Sequence, residues 1–230
     1  ELDMLHVLDD KRVDGVIIAS PRLNSNQLLP ELARHSKVVI TNRIFESQDL
    51  STVVGYVVND DREGSCKATQ YLLSRGHSKV GFLAGPEAAY GSQRRMVGYR
   101  EALQEAGIPF DPGIVRHCPP TVKGSMEAAN ELIQTHPELH GLFCFNDLVA
   151  IGVLQACAAL GLHVPTDMAV VGYDDIPMAS WVNPPLTTCQ VAFEEMGRIA
   201  MRLLIQHIAE CPEGCHNVTL KPQMIQRHSA

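Results

Sequence analysis

The sequence predicts an α/β fold of doubly wound parallel sheets. Three observations predict it. Short apolar runs recur along the 230 residues, segments of helical period separate most of them, and the runs end in polar residues, chiefly Asn and Asp. The pattern occurs in two sets, before and after about residue 60, which suggests two similar subdomains.

The runs are DGVIIAS (14–20), KVVITN (37–42), VVGYVVND (53–60), KVGFLAGP (79–86), LHGLFCFND (139–147) and AVVGYDD (169–175). Consecutive apolar residues of this kind suit strands buried on both faces. Between them, REGSCKATQYLLSRGH puts Cys66, Ala68 or Thr69, Leu72 and Leu73 on one helical face and stops at Gly76. RRMVGYREALQEAG does the same with Met96, Tyr99, Leu103 and Ala106 and stops at Gly107. DLVAIGVLQACAALG begins with Asp147 near an N-cap and ends at Gly161. FEEMGRIAMRLLIQHIAE reads as a long amphipathic helix.

Formal net charge is -7 and no block of basic residues occurs. DNA affinity comes largely from neutralised phosphates, so this chain by itself is not expected to bind nucleic acid. No apolar run approaches the length of a membrane span. The opening ELDMLHVLDDKR is acidic and amphipathic, unlike a signal peptide, and without an initiator Met it reads as part of a longer chain. Seven scattered cysteines argue for a reducing, cytoplasmic setting. Cys66, Cys144 and Cys157 lie in apolar contexts and read as small core residues.

Open α/β sheets bind ligands at the C-terminal ends of their strands. Those ends are Ala19-Ser20, Thr41-Asn42-Arg43, Asn59-Asp60-Asp61, Gly85-Pro86, Asn146-Asp147 and Asp174-Asp175. Asn and Asp there suit hydroxyl or amide ligands, although singly each also suits a turn or helix cap. Phosphate-loop, dinucleotide, nucleophile-elbow and zinc-protease motifs are absent. Asp174 and Asp175 are neighbours on an extended segment and point to opposite sides, which argues against shared acid/base work. Cys211, Cys215 and His216, with His207 upstream, have a loose spacing that does not read as a metal site. No catalytic activity, metal or cofactor is expected.

The motifs together resemble the lactose/galactose repressor (LacI/GalR) family along essentially the whole chain. RVDGVIIAS, VVITNR, NDDREGSCKATQYLLSRGHSKVGFLAGP, SQRRMVGYREAL and the closing QRHSA are each similar to a family segment. FCFNDLVAIGVLQACAALGLHVPTDMAVVGYDDIPMASWVNPPLTT carries the most specific part of the match. The resemblance implies a core shaped like periplasmic sugar-binding proteins, with two α/β subdomains, three chain crossovers and a ligand cleft between them. Matched onto this chain, the N-terminal subdomain is 1–59 and 191–216, with its first strand, helix and second strand missing. The C-terminal subdomain is 60–190 and 217–230.

The resemblance also implies functional residues. Arg95 matches a ligand-clamping arginine, Asn146 an asparagine that donates and accepts, and Asp174 an acid that accepts from ligand hydroxyls or amines. Asn42 matches a further ligand position in the first subdomain. The bland alternative for Arg95 is a solvated helix side chain. Homodimers pair through the helix after Asn146-Asp147 and the loop after GYDD, hence through Ala150, Leu154, Met178, Trp181 and Val182. The sequence departs from the pattern at Pro119-Pro120, Gly91 and Val191, so ligand identity stays open. The function implied is the effector-binding and dimerisation core of a bacterial transcription regulator. It would take a small polar ligand, expected to be a carbohydrate, and act on operator DNA through a helix-turn-helix headpiece missing from this chain. A periplasmic sugar-binding protein for transport is the alternative, and a sugar-processing enzyme is disfavoured by the missing motifs.

Overall fold

A computed structural model of the chain describes residues 1–35, 37–45, 52–209 and 217–230. The elements in chain order are α1 (Leu2–Asp10), β1 (Val16–Ala19), α2 (Ser25–Leu32), β2 (Val38–Thr41), β3 (Val53–Asn59), α3 (Asp61–Ser74), β4 (Val80–Ala84), α4 (Tyr90–Glu105), β5 (Val115–His117), α5 (Val122–Thr135), β6 (Gly141–Cys144), α6 (Asp147–Ala159), β7 (Ala169–Asp174), β8 (Thr187–Gln190), α7 (Phe193–Ile208), β9 (Val218–Leu220) and β10 (Gln223–Ile225). All six apolar runs contain strands. The short β5, β8, β9 and β10 carry too few apolar residues in a row to stand out in sequence.

The chain divides into two units, 1–60 with 192–220 and 61–191 with 221–230. The last division therefore falls after Leu220, not at 216/217 as expected. The reason is β9, which pairs in parallel with β3 from Val57–Val218 to Asn59–Leu220. Val191 likewise belongs to the second unit. Cys211, Cys215 and His216 lie outside the described residues. Among the described residues no group of three His, Cys, Asp or Glu is placed to hold a metal, and no helix is long and apolar enough to cross a membrane.

In the first unit the described strands form a parallel sheet in the order β1-β2-β3-β9. Every residue of β2 and β3 is buried, which is why these segments read as unbroken apolar runs. Leu5 of α1 and Leu28 and Leu32 of α2 pack with Val38, Ile40, Val53 and Tyr56. Helix α7 packs on β1, β2 and β3.

The second unit holds a six-stranded sheet in the order β10-β8-β7-β6-β4-β5, parallel except for β10. Side chains alternate across it. Phe82, Phe143 and Tyr173 form an aromatic row on one face, with Phe82 and Phe143 stacked at 4.8 Å and Tyr99 of α4 against Phe82 at 5.4 Å. Leu83, Leu142, Cys144 and Val170 join a core with α5 and α6. Cys118, Cys144, Cys157 and Cys189 are buried free thiols and Cys66 is half-buried.

Helices α3 and α4 approach closely. The buried face of α4 is Ser92, Arg95, Gly98, Tyr99, Ala102 and Leu103; of the other expected residues Met96 is half-buried at its margin and Ala106, the C-cap, is exposed. A Cβ on Gly98 would collide with the Arg62 carbonyl oxygen and the Ser65 hydroxyl of α3. Helices α5 and α6 repeat the device, with Gly152 against Ser125 and Val122. Because the obstacle at Gly98 is backbone, Gly98→Ala is expected to force the helices apart and cost about 1–3 kcal/mol, measured as a lower urea midpoint.

Candidate functional site

Strand order in the second unit reverses between β4 and β6. From β4 the chain adds β5 on one side, then β6, β7 and β8 on the other. Such a reversal leaves a crevice at the C-terminal strand ends where ligands bind. Arg95, one turn into α4, reaches this place.

Arg95 is buried, at 8% exposure. Its Nε and Nη2 each donate to Asp61 Oδ1 at 3.1 Å, and Nη2 also meets Asp174 Oδ1 at 3.4 Å. Nη1 donates to the Phe145 carbonyl. The guanidinium lies 3.7 Å from the Tyr173 ring centroid and 4.8 Å from that of Phe145. The arginine is therefore not a solvated helix side chain. Burial opposes its charge, but Asp61 and Asp174 outweigh that and raise its pKa.

Two of the expected site residues, Arg95 and Asp174, are thus brought together. Burial pushes the Asp174 carboxyl up to about 6, with Arg95 opposing and the charge of Asp61 adding to the rise. Asp174 and Asp175 both have positive φ, 107° and 57°, in a region that costs a non-glycine residue roughly 1–3 kcal/mol. The left-handed turn sends the two acids apart. Asp175 accepts from Arg227 Nη2 at 2.7 Å and Gln190 Nε2 at 2.8 Å, and so anchors the turn.

Asn146, expected to donate and accept, has its oxygen engaged within the fold. Its Oδ1 is the N-cap of α6, accepting from Val149 N at 3.0 Å, which leaves the amide nitrogen to offer a ligand. Asp147, expected near the cap, turns inward and is wholly buried. It accepts from Ile176 N at 2.8 Å and from Thr188 Oγ1 at 2.6 Å. Burial pushes its carboxyl up to about 7, against the pull of these two donors.

Asn42 lies in the first unit with φ 58°, and Ser20 nearby with φ 50°. Asn42 Nδ2 donates to Ser20 Oγ at 3.0 Å and its Oδ1 accepts from Asn59 at 3.1 Å. Both ends of its amide are engaged in tying three strand ends together.

The expected dimer residues separate into two groups. Ala150 is 0% exposed and Leu154 8%, both in the core shared with α5. Buried against the sheet and α5, they leave little surface for a partner. Trp181 is 77% exposed and Met178 40%, on and just after a 3-10 turn at Pro177–Ser180. Val182 packs partly on the core.

Sequence reasoning missed Asp61, Phe145, Tyr173, Asp147 and Arg227. Asp61 and Asp147 stood in the polar strand ends, but nothing local marks Asp61 as the partner of a residue 34 positions away. At Gly91 a Cβ would be 3.3 Å from Asp61 Oδ2.

Residues 69–230 match the family model of the periplasmic binding protein-like domain. The chain is 30% identical over 231 aligned residues to the HTH-type transcriptional repressor PurR of Vibrio atlanticus, covering 98% of this chain and 66% of that protein. It is 34% identical to the HTH-type transcriptional regulator CelR of Thermobifida fusca, over 87% of this chain and 58% of the relative. A solved transcriptional regulator CelR–cellobiose complex superposes with TM-score 0.90 at 31% identity, covering all of this chain and 69% of that one. The chain thus spans about two thirds or less of these two relatives' own length. Both relatives are named as transcriptional regulators and not as enzymes.

The Asp147 carboxyl makes a testable contribution to stability. Its native value of about 7 lies above the ordinary aspartate value near 3.8. The folded chain therefore keeps a proton that the unfolded chain releases, and the residue's contribution falls as pH rises from about 4 to 7. Asp147→Asn is expected to gain in thermal midpoint relative to the wild type between pH 5 and 8, read by calorimetry across that range.

Proposed function

The chain belongs to the periplasmic-binding-protein-like family, among the LacI-type transcriptional regulators, and on that footing we propose that it is the effector-binding and dimerisation core of such a regulator. The observation that supports this best is the convergence of Arg95 and Asp174 at the strand reversal of the second unit. A guanidinium donates and a carboxylate accepts, the complementary pair a vicinal diol needs. We assign a small polar effector to this place, a carbohydrate in the first instance. The solved CelR–cellobiose complex supports that class.

In this reading the Asn146 amide nitrogen is a further donor to the effector, and Asn42 orders strand ends in the first unit. Operator DNA is bound by a helix-turn-helix headpiece outside these 230 residues, which fits the net charge of -7. The effector acts only if it binds one conformation of the regulator better than another. The cytoplasm is the compartment such a regulator occupies.

Loss of Asp174 removes a charged hydrogen bond worth about 1.5–3 kcal/mol. Asp174→Ala is therefore expected to weaken effector binding about tenfold or more, read by titration after a thermal-shift screen of sugars and nucleosides finds a ligand. A ligand bound equally well by this variant would remove Asp174 from the site.

For dimerisation, the surface that fits is the exposed Met178 and Trp181, not α6 itself. An exposed tryptophan beside an apolar neighbour is a frequent interface anchor. Trp181→Ala is expected to shift the chain from dimer toward monomer in analytical ultracentrifugation while its circular dichroism stays unchanged.

A further inference from the structure

Arg95 meets two carboxylates, and the order in which they engage it matters. The edge formed by Nε and Nη2 is the side of a guanidinium suited to clamping an anion. Both nitrogens of that edge are turned to Asp61 Oδ1 at 3.1 Å. Asp174 takes Nη2 from the other side, and the Phe145 carbonyl takes Nη1.

We propose that Asp61 is a specificity-determining residue: it fills the anion-clamping edge of Arg95, so that the site accepts uncharged polyhydroxy ligands and rejects phosphorylated or carboxylated ones. The inference rests on the effector-binding reading above and narrows its ligand class.

Asp61 is built into its position. Its side chain is 8% exposed, and its backbone carbonyl accepts from Ser65 Oγ at 2.7 Å. Gly91 leaves space beside Oδ2 by lacking a Cβ, since a methyl group there would stand only 3.3 Å away, a tight contact. Arg227 is held by Asp175 at 2.7 Å, and Lys67 and Lys221 meet Glu63. Asp147, Asp174 and Asp175 add negative charge, and the charges of Asp174 and Asp175 both help, after burial, to raise the Asp147 carboxyl. An incoming phosphate would displace Asp61 from Arg95 and leave that buried carboxylate unpaired, which is costly. A neutral hydroxyl can donate to a carboxylate and accept from the guanidinium without breaking the pair.

The test titrates the chain at fixed ionic strength with cellobiose and glucose, with glucose 6-phosphate and inorganic phosphate, and with spermidine as a cation. The wild type is expected to bind at least one neutral sugar and to show at least tenfold weaker or no binding of both anions and spermidine. Asp61→Asn, nearly isosteric, is expected to tighten phosphate or glucose 6-phosphate binding tenfold or more, so that the ratio of anion to neutral-sugar affinity rises at least tenfold. Wild-type binding of either anion, or of spermidine, as tight as any neutral sugar overturns the proposal, and needs no variant to fold. Unchanged anion affinity in Asp61→Asn overturns it as well. If no sugar binds either protein but Asp61→Asn gains phosphate affinity, the carbohydrate reading fails and the blocking role of Asp61 stands.

Discussion

A guanidinium held out of water is the constraint on which the second unit depends. Burying such a charge costs several kcal/mol unless its hydrogen bonds are replaced. Arg95 meets that demand with Asp61 from the start of α3, Asp174 from the end of β7, the Phe145 carbonyl after β6 and the Tyr173 ring. Asp174 and Tyr173 share β7 and the other partners come from α3 and the end of β6, so these elements must keep fixed mutual positions. The tight crossing of α3 and α4 supplies part of that fixity. Gly98 is three residues beyond Arg95 and Ser65 four beyond Asp61, so the closest point of the helices lies one turn from the ion pair.

Around this centre two further acids bond to the protein's own groups. Asp147 binds Ile176 N and Thr188, and Asp175 binds Arg227 and Gln190. These bonds brace the left-handed turn at Asp174, whose φ of 107° is unfavourable for an aspartate without such support. The geometry that aims Asp174 at Arg95 is thus held by residues that never touch the arginine.

Much of the fold was legible because buried parallel strands are apolar at consecutive positions. Each of the six such runs contains a strand. The short β5, β8, β9 and β10 were not legible, because polar residues interrupt VRH, TTCQ, VTL and QMI and leave no apolar run to see. That is why the expected last subdomain boundary missed the pairing of β9 with β3. In the candidate site, the polar strand ends and the resemblance pointed to Arg95 and Asp174. They did not show that Asn146 spends its oxygen on a helix cap, that Ala150 has no exposed surface, or that Asp61 already engages the arginine. Caps, burial and ion pairs depend on which elements meet, and residue types at single positions do not encode that.

The last described residues knit the second unit together. Ser229 accepts from Thr187 N at 2.8 Å and donates to Val170 O at 2.6 Å, its own carbonyl accepts from Val170 N at 2.7 Å, and Tyr71 Oη donates to the Ala230 carbonyl at 3.1 Å. Strand β10 closes the sheet on β8. The first unit likewise needs α7 and β9, which follow the second unit in sequence. During synthesis, then, neither unit can complete its sheet before residues near the C-terminal end of these 230 have emerged from the ribosome. Long-range closure of this kind slows folding, and it leaves apolar strands of both units waiting for partners made well after them, a window in which a nascent chain is open to chaperones and to aggregation.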